Sequence, residues 1–460
     1  VPRNDPDIRS PAGTTRKIAG YIASVAYREL PDDVLLKTKC HLLDTLAAII
    51  SGSGLKAGKL AASFIATQGG TPEATVWGTD IRTTATNAAL VNGIAAHSDE
   101  TDDSHLEGRF HPGCAVVPAA LAVGEARAQS GAAILNAVAA GYDIGARFSM
   151  ALGVSGPRTA RHSTHSLGAL FGATGAAASL MGFDVVQASS TLSYAIQQAS
   201  GIPYWERDPE HVEKAFDFGG MGARNGVSAA MMVAGGMTGV QDPLEGKLNY
   251  LSAFAEDADA DALTLGLGSR FEIMEASIKK WCVGSPIQAA LDAVMALLEQ
   301  GLDVDSIEEI DLIMPDDRLT IVNNRDMPDV CLQHMVAVCL LDGGATFDTC
   351  HDKARMNDPS VLALREKMTA IPSLELTDAR PARQAILQVR TRDGREYRHH
   401  TKVVRGTPTN PMSPEDIEGK SLDLLVPVLG HAAATALIDA IWKLEGVNDI
   451  NALADIARVQ

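Results

Sequence analysis

Aromatic side chains make up only 5% of this 460-residue chain, too few to line a large aromatic cavity. No apolar run approaches the roughly 18 residues that would suggest a membrane span. The opening stretch Val1-Pro2-Arg3-Asn4-Asp5-Pro6-Asp7 has no apolar h-region, so no secretory signal is expected. Cysteine is scarce: six residues (Cys40, Cys114, Cys282, Cys331, Cys339, Cys350) without a CxxC pair, as expected of reduced thiols in a cytoplasmic protein. Cys331, His334 and Cys339 share one side of a predicted helix but lack a fourth ligand nearby, so core packing is expected of them. Positive charge is also short. A net charge of −18 argues against nucleic acid and anionic membranes as partners. It leaves room for a small anion, because a local group of Lys and Arg dominates within a Debye length of about 8–10 Å.

What the chain has in quantity is Ala and Gly at helical spacing. From Thr15 to about Leu251 it reads as helix after helix. Leu36, Cys40, Leu43, Ala47 and Ile50 mark one apolar face, with Asp32 or Asp33 as cap and Gly52 as terminator. Further helices are predicted at 57–68, 84–97, 114–129, 131–150, 165–182, 185–200, 221–234 and 246–254. Small residues let such helices approach closely. After the acidic stretch 256–261 the texture changes. Strands are predicted at 270–274, 307–314, 384–392 and 395–404, the last two flanking Asp393-Gly394 as a two-residue hairpin signal. Helices are predicted at 285–300, 329–341 and 358–369 between them, then at 414–427, 430–443 and 450–457. The expected fold is therefore mainly α: an all-α domain of 1–265 and 404–460, and a smaller α+β domain of 266–403.

Between two of these apolar helices lies the densest chemistry. Asp99, Glu100, Asp102, Asp103 and Glu107 fall with His97, His105 and His111 inside 15 residues. Charge between buried helices costs stability, so function is the natural reading. Three more clusters accompany it. Arg158 to Gly168, with Arg161, His162, Ser163 and His165, places hydroxyls and imidazoles at a helix N-terminus, where backbone NH groups suit an anion. Lys214 precedes glycines 219, 220, 222 and 226, which permit close backbone approach to a ligand or another helix. Lys279-Lys280-Trp281 opens the second domain. Together they suggest a polycarboxylate site, with Lys and Arg holding carboxylates and histidine removing a carbon-bound proton.

Two metal readings compete. Asp99-Glu100-Thr101-Asp102-Asp103 is similar to the aspartate-rich, magnesium-binding motif of prenyl diphosphate enzymes, but the 5% aromatic content and the second, α+β domain count against it. A site built from His97, Asp102, Asp103 and His105 would predict sensitivity to chelators. A catalytically dead binding scaffold is the non-enzymatic alternative.

The chain resembles the MmgE/PrpD family through Asn92-Gly93 to His97-Ser98, Asp102-Asp103-Ser104, His111-Pro112, and His162-Ser163-Thr164-His165-Ser166-Leu167-Gly168. Lys214 through Gly219, Ile278-Lys279-Lys280-Trp281, Asp393-Gly394 and Gly406-Thr407-Pro408 continue the match. The resemblance implies a large helical domain formed by both termini, a smaller α+β lid with the site between the two domains, a homodimer, and no cofactor or metal. It places site residues at Glu100, Ser104, His111, His162, Lys214 and Lys279. The implied mechanism has His162 as base, Lys214 and Lys279 binding carboxylates, His111 with Ser104 protonating the leaving group, and Glu100 and Asp102 orienting imidazoles. Arg161 and Ser163 are expected at the substrate. The family acts at a carbon next to a carboxylate of a small di- or tricarboxylic acid. A 2-methylcitrate dehydratase-like lyase leads, with an iminodisuccinate-type epimerase or a cis-aconitate-type decarboxylase as alternatives. Two departures stand out: Glu100 replaces the usual aspartate and Ser104 a common threonine. The spacer from Ser104 to His111 is one residue longer than in the decarboxylase branch, so the substrate is expected to differ.

Overall fold

The computed structural model of the protein describes residues 10–153 and 158–457; the opening stretch Val1–Asp7 lies outside them. Two compact units divide the chain, the larger comprising 1–98, 102–276 and 417–460 and the smaller 99–101 and 277–416.

The larger unit is helical because its apolar runs carry helical spacing and well-formed caps. Thr84 accepts the Asn87 NH at 3.2 Å to open the helix Ala85–Ala96. Ser130 does the same for Gly131–Met150, and Ser163 for Thr164–Leu180. Asp184 and Gln187 close a reciprocal capping box on Val185–Gln197. The helices Ala85–Ala96, Gly113–Ala126 and Thr164–Leu180 are buried on nearly every side, which their uniform Ala, Val, Leu and Gly content allows.

Glycine sets how closely they pack. A Cβ on Gly219 would lie 2.1 Å from the Gly93 carbonyl oxygen, and one on Gly226 would lie 2.6 Å from the Thr174 nitrogen. The glycines after Lys214 thus serve helix contact. The first two of them sit in a π-helical turn, Phe216–Gly220, that leads into the helix Met221–Ala234. Such turns insert an extra residue, rotate the flanking side chains, and recur at functional sites.

The smaller unit holds a four-stranded sheet of β1 (Ile307–Pro315), β2 (Met368–Ser373), β3 (Ala385–Thr391) and β4 (Glu396–Thr401), in the order β2-β1-β3-β4. β1 runs parallel to β2 and antiparallel to β3, and helix Gln288–Glu299 packs on β3 and β4. The architecture is mainly α with a small α+β unit.

Several element expectations need correction. Residues 270–274 form no strand: Glu272–Glu275 is a 3-10 turn, held by Asp143 accepting the Glu272 NH at 2.8 Å. The helix expected at 358–369 ends at Arg365, and the chain re-enters the sheet as β2. The hairpin at Asp393-Gly394 forms, but through a three-residue loop: Gly394 adopts φ +82° and the Thr391 NH reaches the Arg395 carbonyl at 2.9 Å. The helix from Asp32 passes through Gly52 to Ser53, and the one expected from 246 begins only at Tyr250.

Candidate active site

The helix Ala85–Ala96 ends at His97, and the next turn brings Asp102 back beneath it. The two oxygens of Asp102 serve two imidazoles: Oδ2 lies 2.9 Å from His97 Nδ1, and Oδ1 lies 3.1 Å from His111 Nδ1. All three side chains are buried. A carboxylate between two imidazoles assigns the Nδ1–H tautomer to each neutral ring, which leaves Nε2 as the basic nitrogen.

Phe218, from the π-helical turn, is the floor of this group. His97 stacks on it with ring centroids 4.4 Å apart, and His165 stacks at 3.8 Å with planes 9° apart. His111 lies 5.4 Å from the same ring and 5.5 Å from His165. Trp205 stands edge-on to both Phe218 and His165. Lys214 Nζ lies 5.1 Å from the Phe218 centroid and 5.7 Å from Trp205, within cation–π range. Three imidazoles and an ammonium therefore gather around one aromatic ring.

The other residues singled out from the sequence fall in different places. His162 follows the turn Thr159–Arg161 and packs edge-on against Phe254 at 4.7 Å, outside the group stacked on Phe218. Burial lowers its pKa below the ordinary histidine value. Ser163 is buried as the cap of Thr164–Leu180, and its hydroxyl donates to Asp217 at 2.5 Å. Burial pushes that carboxyl up to about 6. Arg161 is exposed, and Ser104 is buried on a short extended segment next to His105.

Asp103 and His105 do different work from Asp102. Asp103 accepts from His41 Nδ1 at 2.7 Å, Tyr142 Oη at 2.6 Å and the Gly113 NH at 2.9 Å. It therefore ties the start of the segment to the helix that follows His111. His41, pushed down to about 4 by burial, makes that bond as a neutral ring. His105 accepts the Gly108 NH at 2.9 Å and faces Glu272 at 3.5 Å. The metal set His97, Asp102, Asp103 and His105 is thus split among separate partners. His97, Asp102 and Cys114 do bring ligand atoms within 4.8 Å of one another. The Cys114 thiol, however, donates to the His111 and Phe218 carbonyls at 3.1 and 3.4 Å.

Residues 99–101 belong to the smaller unit, where Lys279 Nζ donates to the Glu100 carbonyl at 2.7 Å and lies 3.5 Å from its carboxylate. Asp99 caps Thr101 and pairs with His351 at 3.1 Å. Burial alone would lower the His351 pKa, but Asp99 more than offsets it and raises it to about 9. Within that unit the Glu100 carboxylate therefore faces an ammonium.

Three residues around the site, His97, Phe218 and Trp205, have no catalytic role in the sequence-based expectations. His97 figures there only in the dense segment and as a candidate metal ligand. Phe218 and Trp205 carry a signal only in hindsight, as two of the few aromatics near Lys214.

This is a mainly α protein of two units, with an imidazole–carboxylate centre built into the larger one. The chain belongs to the MmgE/PrpD family: residues 16–263 match the MmgE/PrpD N-terminal domain and residues 281–445 the MmgE/PrpD C-terminal domain. It is similar to cis-aconitate decarboxylase of Mus musculus, 24% identical over 96% of this chain and 93% of the relative. The Homo sapiens enzyme of that name is also 24% identical, over 96% and 94% of the two chains. The Aspergillus terreus one is 23% identical over 98% and 97%. No helix among the described residues is long and apolar enough to cross a membrane.

Proposed function

We propose that this family enzyme is a cofactor-independent lyase that acts at a carbon next to a carboxylate of a small di- or tricarboxylic acid. The observation that carries this reading is the Asp102 carboxylate shared by His97 and His111, with Lys214 on the same aromatic floor. Removing a proton beside a carboxylate builds enediolate-like charge, which needs a nearby cation and a neutral base. Lys214 is the cation. His111, with its Nδ1–H given to Asp102, presents Nε2 for the proton that goes to the leaving group. The resemblance assigns the carbon-bound proton to His162, whose burial keeps it neutral near pH 7. Ser104 adds a hydroxyl, Ser163 holds the start of the helix Thr164–Leu180 through its cap and its bond to Asp217, and Arg161 adds charge beside it. In the smaller unit, Lys279 is proposed to bind a substrate carboxylate, with Glu100 setting its position.

Dehydration of a 2-methylcitrate-like β-hydroxy acid is our leading outcome. Loss of carbon dioxide is supported by the names of the similar proteins, and epimerisation needs only reprotonation on the other face. We further propose a cytoplasmic homodimer, the location resting on six free, buried thiols.

Lys214→Ala and His162→Ala should each reduce turnover by about 10²–10⁴-fold while leaving the circular dichroism spectrum unchanged. Near-native turnover of either variant contradicts its role. Lys279→Ala should raise KM for polycarboxylates, and an unchanged KM removes it from binding. Activity should survive exhaustive chelation; a strict metal requirement would revive His97, Asp102 and Cys114 as ligands.

A further inference from the structure

We propose that His165 is a further catalytic residue of this site, working beside His111 in the second proton transfer. The inference rests on the carboxylate-lyase reading above. The sequence placed His165 only among possible anion binders at a helix N-terminus, and the family resemblance assigns it no role.

Geometry separates it from an incidental histidine. Its ring lies flat on Phe218 at 3.8 Å, 5.5 Å from the His111 ring and edge-on to Trp205 at 5.4 Å. Phe218 is also the ring that carries Lys214 and His97. Its place near the start of Thr164–Leu180 is held by the Ser163 cap and by the Ser166 hydroxyl, which donates to the Ser200 carbonyl at 2.7 Å. Gly201, with φ +120°, admits that bond, because a Cβ there would lie 1.9 Å from Ser166 Oγ. The backbone beneath His165 is therefore fixed from two sides, as acid–base work requires.

One base takes the carbon-bound proton, and the C–H electron pair becomes the new C=C bond. The C–O bond breaks with its own pair, and a proton held by the His111–His165 pair passes to the departing oxygen, which leaves as water. The base then releases its proton to solvent and the pair regains one, so the enzyme returns to its starting state. Two adjacent imidazoles suit this second transfer, since one can hold the proton while the other stays neutral.

The test compares the intact protein with His165→Gln on a panel of di- and tricarboxylates that includes citrate. Turnover should fall at least about 100-fold in the variant with KM changed less than about threefold, and the alkaline limb of its kcat–pH profile should move. A parallel arm treats the unmodified protein with diethyl pyrocarbonate and maps the carbethoxylated histidines by mass spectrometry. Citrate should protect His165. Native kcat and an unshifted profile in His165→Gln overturn the proposal. Equal labelling of His165 with and without citrate also overturns it, and this arm does not depend on the variant folding. If the intact protein turns over no member of the panel, the lyase reading fails on its own, and the labelling arm still decides whether His165 meets a carboxylate ligand.

Discussion

Asp102 decides which nitrogen of two histidines carries the proton. By accepting from both Nδ1 atoms it turns two ambiguous rings into oriented bases, and no neighbouring acid can replace it. Asp103, one residue along, is already saturated by His41, Tyr142 and Gly113. Asp102→Asn, which can offer only one acceptor oxygen, should cost about 10²–10⁴-fold in kcat with little change in melting temperature. Asp103→Ala should do the reverse: it strands three buried donors and should destabilise the fold by on the order of 3 kcal/mol in urea unfolding. A large stability loss for Asp102→Asn, or none for Asp103→Ala, contradicts this division of labour. Two adjacent aspartates cannot be told apart in the sequence. Only the partners that helices Asp32–Ser53 and Gly131–Met150 bring up separate them. Lys279 is equally invisible beside Glu100 in the sequence, since it stands 179 positions away.

At the scale of elements, helices were legible from sustained apolar spacing; Thr84, Ser130 and Ser163 cap three of them, whereas Asp32 and Asp33, expected as a cap, lie inside the first turn with Pro31 at the cap position. The short pieces were not. β2 follows Pro359–Arg365 after two residues and contains Pro372, so its pattern offers neither alternation nor a clean break. Residues 270–274 are expected to be extended, yet Asp143, brought up from a distant helix, accepts the Glu272 NH and holds Glu272–Glu275 in a 3-10 turn. The π-helical turn at Phe216–Gly220 has no sequence signature, although it places Phe218 under the histidines. Its seat depends on Gly219. Gly219→Ala would drive a methyl group into the Gly93 carbonyl, at a cost of about 1–3 kcal/mol. We expect a lowered urea midpoint together with reduced kcat, because the same shift moves Phe218. An unchanged midpoint and kcat would show that the helices have slack.

For the whole molecule, buried titrating groups set how stability follows pH. Burial lowers His41 and His334 to about 4 in the fold, against about 6.5 when unfolded. The unfolded chain therefore binds their protons first, and their contribution is lost as pH falls from about 6.5 toward 4. Asp44, Asp143 and Asp217 are raised by burial to about 6, and Glu125 to about 7. Each works in the opposite sense, stabilising below about 4 and losing that contribution as pH rises through its folded value. The two groups oppose each other, so a single substitution isolates one of them. His334→Leu should remove up to on the order of 3 kcal/mol of acid-induced destabilisation between pH 6.5 and 4. Urea midpoints across that range give the slope; an unchanged slope means His334 does not titrate in this window. None of these folded values was legible from composition, because burial is a property of the assembled core.

The central claim is that this chain moves a proton on carbon beside a carboxylate. The direct measurement is to incubate the intact protein and Asp102→Asn with a panel of small polycarboxylates in deuterated water, following products by NMR and mass spectrometry. The account predicts that the intact protein gives an alkene product, carbon dioxide or deuterium in recovered substrate, and that Asp102→Asn gives little of any. No turnover and no deuterium uptake by the intact protein, or equal activity of Asp102→Asn, would contradict it.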